Sequence, residues 1–152
     1  MILIGIYSGW RPKELAILKT ADIDLTNQTI LGGIKTEAGK NRIVPIHPKI
    51  VPLIEHCYDK NNEYLFNDPN GQQGTHLTYD KYRLRFKKVM DKLIMNHRPH
   101  DTRHTFISLA KEHNVNDYVL KLIVGHAIND VTEKTYTHRT LEQLIEEIKK
   151  IP

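Results

Sequence analysis

The sequence predicts a mainly α-helical domain carrying one small antiparallel sheet, a hairpin or three strands. Three observations predict it. Apolar residues recur at helical spacing through most of the chain. A single polar turn, TEAGK, separates two short strand-like runs. No repeat, low-complexity tract or linker divides the 152 residues, which suffice for one domain with its own core.

The elements follow in order. MILIGIYS is apolar with no polar cap before it, as in a buried helix entered partway along. It lacks the basic flank and small-residue cleavage site of a signal peptide. Pro12 stands at the favoured first position of a helix running through KELAILK. Residues 29–34 and 42–46 flank TEAGK and read as a β-hairpin. His47-Pro48 opens a helix through VPLIEHCY. A turn-rich stretch, NDPNGQQGTH, follows Tyr64–Phe66. A long helix is expected over 78–95, with Tyr82, Phe86, Val89 and Leu93 inward and Lys81, Arg85, Lys88 and Lys92 on an adjoining stripe. Shorter helices are expected over 101–113, 116–124, 130–136 and 140–150. The last carries Leu141, Leu144, Ile145 and Ile148 on one face.

Composition narrows the class. Hydrophobic residues make up 39% and charged residues 26%, ordinary globular values. No apolar run approaches the ~20 residues that span a bilayer, so no membrane role is expected. The single cysteine, Cys57, excludes an internal disulfide and a zinc-finger pattern, which fits a reducing, cytoplasmic setting. The net charge is +4, and it is concentrated: between His76 and His104 stand eight Lys/Arg against three Asp. A local basic face suits phosphate contacts, which dominate non-specific DNA affinity, and a solvated surface explains it nearly as well.

Four segments place polar groups unusually. Arg11 lies at a turn in YSGWRPKEL, with Glu14 three residues on. Lys35 ends the first hairpin strand in GIKTEAGKNRIVPI. HDTRH puts His100, Arg103 and His104 at the start of a helix. VGH carries His126, and Tyr136 follows ten residues later in TEKTYTH. His100 and His104 are four apart and could face one metal. The zincin pattern needs Glu directly after the first histidine, where Asp101 stands, so no metal is expected.

Together these segments resemble the tyrosine recombinase family, which includes phage and conjugative-transposon integrases. Its pattern is a glycine-arginine turn with Glu-Leu downstream, a hairpin lysine, H-x-x-R-H, a G-H pair and a tyrosine before Thr-His. All occur here in order, from about Tyr7 to His138. The resemblance implies the DNA breaking-rejoining fold and site-specific recombination through a 3′-phosphotyrosyl link, without cofactor or metal. It implies Tyr136 as nucleophile and Arg11 and Arg103 as the phosphate clamp. Lys35 is implied as general acid, chosen over Lys40 and Arg42 because the Lys-Thr pair before the turn matches the family position. His100 and His126 match phosphate-contacting and proton-handling histidines. Glu14 matches an acidic position that orients its neighbours, and His104 a supporting one.

The resemblance further implies double-stranded DNA as partner and a bacterial host's cytoplasm as the setting. It implies a tetramer at synapsis through the C-terminal helix, and a monomer or weak dimer otherwise. Trp10 departs from the aliphatic residue usual before the arginine. Family catalytic domains begin some helices earlier and follow an N-terminal DNA-clasping domain. Residues 1–152 are therefore expected to be a catalytic domain truncated at its N-terminal side. Two rival readings share the same residues: a type IB topoisomerase-like relaxase, and a non-catalytic DNA-binding remnant.

Overall fold

The computed structural model describes residues 1–34, 39–68, 70, 75–127 and 140–152. The described elements are α1 (Ile2–Ser8), α2 (Pro12–Ala16), β1 (Ile23–Asp24), β2 (Thr29–Gly32), β3 (Arg42–Pro45), α3 (Val51–Cys57), α4 (Tyr79–Leu93), α5 (Asp101–Glu112), α6 (Asp117–Val124) and α7 (Leu141–Ile148). The helix expected over 130–136 lies outside the described residues.

The sheet is antiparallel in the order β1-β2-β3. Its register pairs Ile23 with Ile30, Ile30 with Val44, and Gly32 with Arg42. Alternation sorts the two faces. Ile30 and Val44 are buried, while Leu31 and Ile43 are exposed. Arg42 shares the parity of Val44 and so points inward. That sequence-distant fact controls the site described below.

Short polar side chains start several helices by accepting the unpaired first-turn amides. Thr78 accepts from Lys81 N at the start of α4. Asn116 accepts from the amides of Tyr118 and Val119 at the start of α6. Thr140 and Gln143 form a reciprocal capping box on α7. His47 caps the 3₁₀ turn Pro48–Ile50, which leads into α3.

The core joins Ile4 of α1, Trp10, Leu15, Val44, Ile54, Phe106 of α5, Ile123 of α6 and Ile148 of α7. Helices α1 and α5 pack closely. Gly9, at φ 67°, ends α1, and a Cβ there would stand 2.5 Å from Phe106 Cδ1. A side chain at that position would therefore be strained and blocked.

One expectation changes. The buried row of α4 is Tyr82, Phe86 and Met90. Val89 sits beside that row, and both Val89 and Leu93 are exposed. On α7, Leu144 and Ile148 are buried and Leu141 and Ile145 half-buried, all within the same chain. The amide of Asn116 donates to Glu147 Oε2 at 2.7 Å, and Ile151 beyond the helix is buried as well. Among the described residues no helix is long and apolar enough to cross a membrane.

Candidate active site

The site is built on the C-terminal end of α6. The last carbonyls of a helix lack intrahelical partners and carry the negative end of its dipole. Here three consecutive ones each accept an arginine. Ile123 O accepts from Arg42 Nε at 2.9 Å, Val124 O from Arg103 Nη2 at 2.6 Å, and Gly125 O from Arg11 Nη2 at 3.2 Å. Gly125 adopts φ 68°, and a Cβ there would stand 2.7 Å from Gly39 Cα. Glycine therefore lets the α6 end and the base of the hairpin touch.

Arg11 is the N-cap of α2, followed by Pro12 at the first helical position. Glu14 reaches back, accepting from the Arg11 amide at 3.2 Å and from Arg11 Nη1 at 3.1 Å. Glu14 is only 2% exposed. Its carboxylate also receives both terminal nitrogens of Arg42, Nη1 at 3.3 Å and Nη2 at 2.7 Å, and the Ile34 amide at 3.4 Å. Burial pushes the Glu14 pKa up, but the hydrogen bonds and charges of Arg42 and Arg11 outweigh it and hold it below the ordinary value. Glu14 is thus an anion inside a cationic cluster.

Arg103 is 3% exposed. Nη1 donates to Gly9 O at 2.7 Å while Nη2 holds Val124 O, so this residue of α5 ties the ends of α1 and α6 together. Its pKa falls to about 10, first through burial and then through the like charges of Arg11 and Arg42. The guanidinium still carries its charge at neutral pH. His126 follows Gly125 directly. Burial, then Arg103 and Arg11, lower its pKa, so the imidazole is neutral near pH 7 and can accept a proton.

An open cleft of about 380 Å³ is lined by Arg11, Lys13, Glu14, Ile34, Tyr79 and His100. His100 stands at the start of α5, with its ring edge-on to His104 at 5.0 Å. The structure therefore gathers Arg11, Glu14, Arg103 and His126 at one helix end and brings His100 to the cleft beside Arg11. His104 lies on the exposed side of α5. Lys81 is paired with Asp68, and Arg85, Lys88 and Lys92 are exposed on α4. Lys35 and Tyr136 lie outside the described residues. The chain on either side of 35–38 is at the cluster, since Ile34 lines the cleft and Gly39 O accepts from Arg42 Nη1 at 2.8 Å.

Arg42 is the site residue that sequence reasoning set aside. As an arginine beside a polar turn it reads as surface. The available signal was its parity with Val44 and Ile46, both buried.

The model of the Phage integrase family matches residues 1–143. The tyrosine recombinase XerA of Pyrococcus horikoshii is 30% identical to this chain, over 99% of the chain and 53% of the relative. The chain spans about half the length of the curated relatives it matches. The integrase of mycobacterium phage Brujita has the same fold, with a TM-score of 0.79 at 20% identity, covering 99% of this chain and 50% of the integrase. The Tn1549 transposon integrase, solved with circular-intermediate DNA, superposes with a TM-score of 0.69 at 23% identity, over 97% of this chain and 55% of that one.

Proposed function

We propose, from the premise that the chain belongs to the phage integrase family, that it cuts and rejoins double-stranded DNA as the catalytic part of a site-specific recombinase. The observation that carries this reading is the convergence of Arg11, Arg103 and neutral His126 on one helix end beside a cleft.

A phosphodiester under attack gathers charge on its non-bridging oxygens. Two guanidiniums can hold those oxygens with planar paired hydrogen bonds. Donors of this kind contribute about 3–4 kcal/mol each in comparable sites. The phenolic oxygen of Tyr136 forms a bond to phosphorus while the P–O5′ bond breaks. Neutral His126 accepts the phenolic proton, and Lys35 protonates the departing 5′ oxygen. The phosphotyrosyl ester conserves the bond energy, so a 5′-hydroxyl of a second strand can reverse the reaction. His100 contacts the phosphate from the cleft wall, Glu14 orients Arg11, and His104 supports His100. Lys81, Arg85, Lys88 and Lys92 add backbone contacts along α4.

Exchange of strands between two duplexes needs several copies, four at synapsis, with α7 as the exchanged element.

The test is a pool of nicked duplexes tiling the DNA that flanks the gene. Loss of the short 5′ fragment traps the covalent intermediate. A denaturing gel should show protein joined to DNA for the parent and none for Tyr136→Phe. An adduct that survives the substitution would refute Tyr136 as nucleophile.

A further inference from the structure

We infer that Arg42 is a positioning residue that occupies Glu14 so that Arg11 remains open to the cleft. The inference rests on the reading of Arg11 as a phosphate ligand.

Arg42 does not face the cleft. Its guanidinium lies 4.1 Å from the Trp10 ring, and its nitrogens are spent on Gly39 O, Ile123 O and both oxygens of Glu14. The contrast with Arg11 is instructive. Arg42 grips the carboxylate with two nitrogens, the geometry a guanidinium–carboxylate pair prefers. Arg11 touches it with one side-chain nitrogen and gives another to Gly125 O. Glu14 is nearly inaccessible to water, so it needs a close counter-charge. With Arg42 gone, Arg11 is the cation that remains bonded to it. Arg11 would then close onto both oxygens and withdraw from the cleft. Arg42 also sets the charge of the cluster. Three arginines and one carboxylate leave two net positive charges at the α6 end, and loss of Arg42 leaves one.

Capture of Arg11 by Glu14 has a consequence for the rate that a purely structural role of Arg42 does not have. Arg42→Gln should slow adduct formation at saturating DNA roughly 100-fold, the scale of a small displacement of a reacting group. The Kd for DNA should change only a few-fold. Adding Glu14→Gln should restore the rate to within about tenfold of the parent, because a neutral amide no longer captures Arg11 and two net charges return. If Arg42 merely braced the fold, the double variant would be as slow as the single one or slower, and that result would overturn the inference.

Should Arg42→Gln fail to fold, Arg42→Lys takes its place. Lysine keeps the charge but cannot grip both oxygens, so it too should be slow and recovered by Glu14→Gln. A second measurement needs no DNA. Arginine side-chain ¹⁵N spectra of the free protein should show slowed rotation of the Arg11 guanidinium in Arg42→Gln, with the signal assigned by its loss in Arg11→Lys. Unchanged Arg11 signals would also overturn the inference. If the parent forms no adduct at all, the recombinase reading falls, and the spectra alone decide the role of Arg42.

Discussion

Replacing Gly125 by alanine perturbs the one point where α6, the hairpin base and Arg11 meet. Two costs follow from the structure. The backbone at φ 68° lies in the left-handed region, which costs an L-residue about 1–2 kcal/mol. The new Cβ would also stand 2.7 Å from Gly39 Cα and 3.2 Å from Arg42 Cδ. Carbon atoms settle at roughly 3.5–4.0 Å, so two backbones must part by nearly an ångström. Overpacking of this kind costs about 1–3 kcal/mol. The sum, ~2–5 kcal/mol, corresponds to a Tm lowered by roughly 5–15 °C in a domain of this size. Calorimetry or a circular-dichroism melt reads this directly. Because Gly125 O holds Arg11, adduct formation well below the Tm should also slow by about tenfold or more. Gly125→Asn separates the two costs, since asparagine tolerates the left-handed region but still brings a Cβ. It should recover much of the backbone share, about 1–2 kcal/mol, and keep the overpacking share. A Tm within ~2 °C of the parent for Gly125→Ala would refute the close approach of Gly125 and Gly39.

Two further outcomes are expected. His47 Nδ1 accepts from the Lys49 amide, so Nε2 carries the proton and donates to Ile151 O at 2.8 Å. Burial, with help from Lys49, holds the His47 pKa below its ordinary value. As pH falls through about 6.5 the unfolded chain takes up this proton before the folded chain does. Stability should therefore decline from that pH down to the folded pKa. Urea midpoints at pH 7 and 5.5 should show a smaller difference in His47→Gln than in the parent, and an equal difference would refute the assignment. Arg103→Lys keeps a charge but cannot bridge Gly9 O and Val124 O. It should cost about 1–3 kcal/mol of stability and slow adduct formation at least ~100-fold. A rate within threefold of the parent would exclude Arg103 from the phosphate clamp.

Most elements were legible because each announces itself locally. Pro12 after a glycine-bearing turn marks α2, the TEAGK turn marks the hairpin, and Thr140 with Gln143 marks α7. The inner face of α4 was misjudged because Tyr82, Phe86 and the 89/93 positions satisfy the helical period as well as Tyr82, Phe86 and Met90 do. Only the way α4 is turned against the rest of the fold decides between them. Arg11, Glu14, Arg103 and His126 were legible through their family context, yet no sequence rule could say that Arg11, Arg42 and Arg103 converge on three adjacent carbonyls. Arg42 was missed for a different reason. Residue type and strand parity disagreed, and parity prevailed, because Glu14, Trp10 and two carbonyls compensate a guanidinium that burial would otherwise penalise.

The convergence on α6 also explains how like charges can be held together. Burial first, and then the like charges of Arg11 and Arg42, lower the Arg103 pKa. Two devices offset the repulsion. The dipole of α6 presents its negative end to all three, and Glu14 neutralises one charge from within the cluster. What remains is a net positive site whose donors are fixed to a single helix end, so under the proposed function little reorganisation would be needed when a phosphate arrives. A helix end suits this role better than several separate carboxylates would. Each further acidic side chain would cancel a full charge and compete with the phosphate for the same guanidinium. Backbone carbonyls orient the arginines while leaving their charge available.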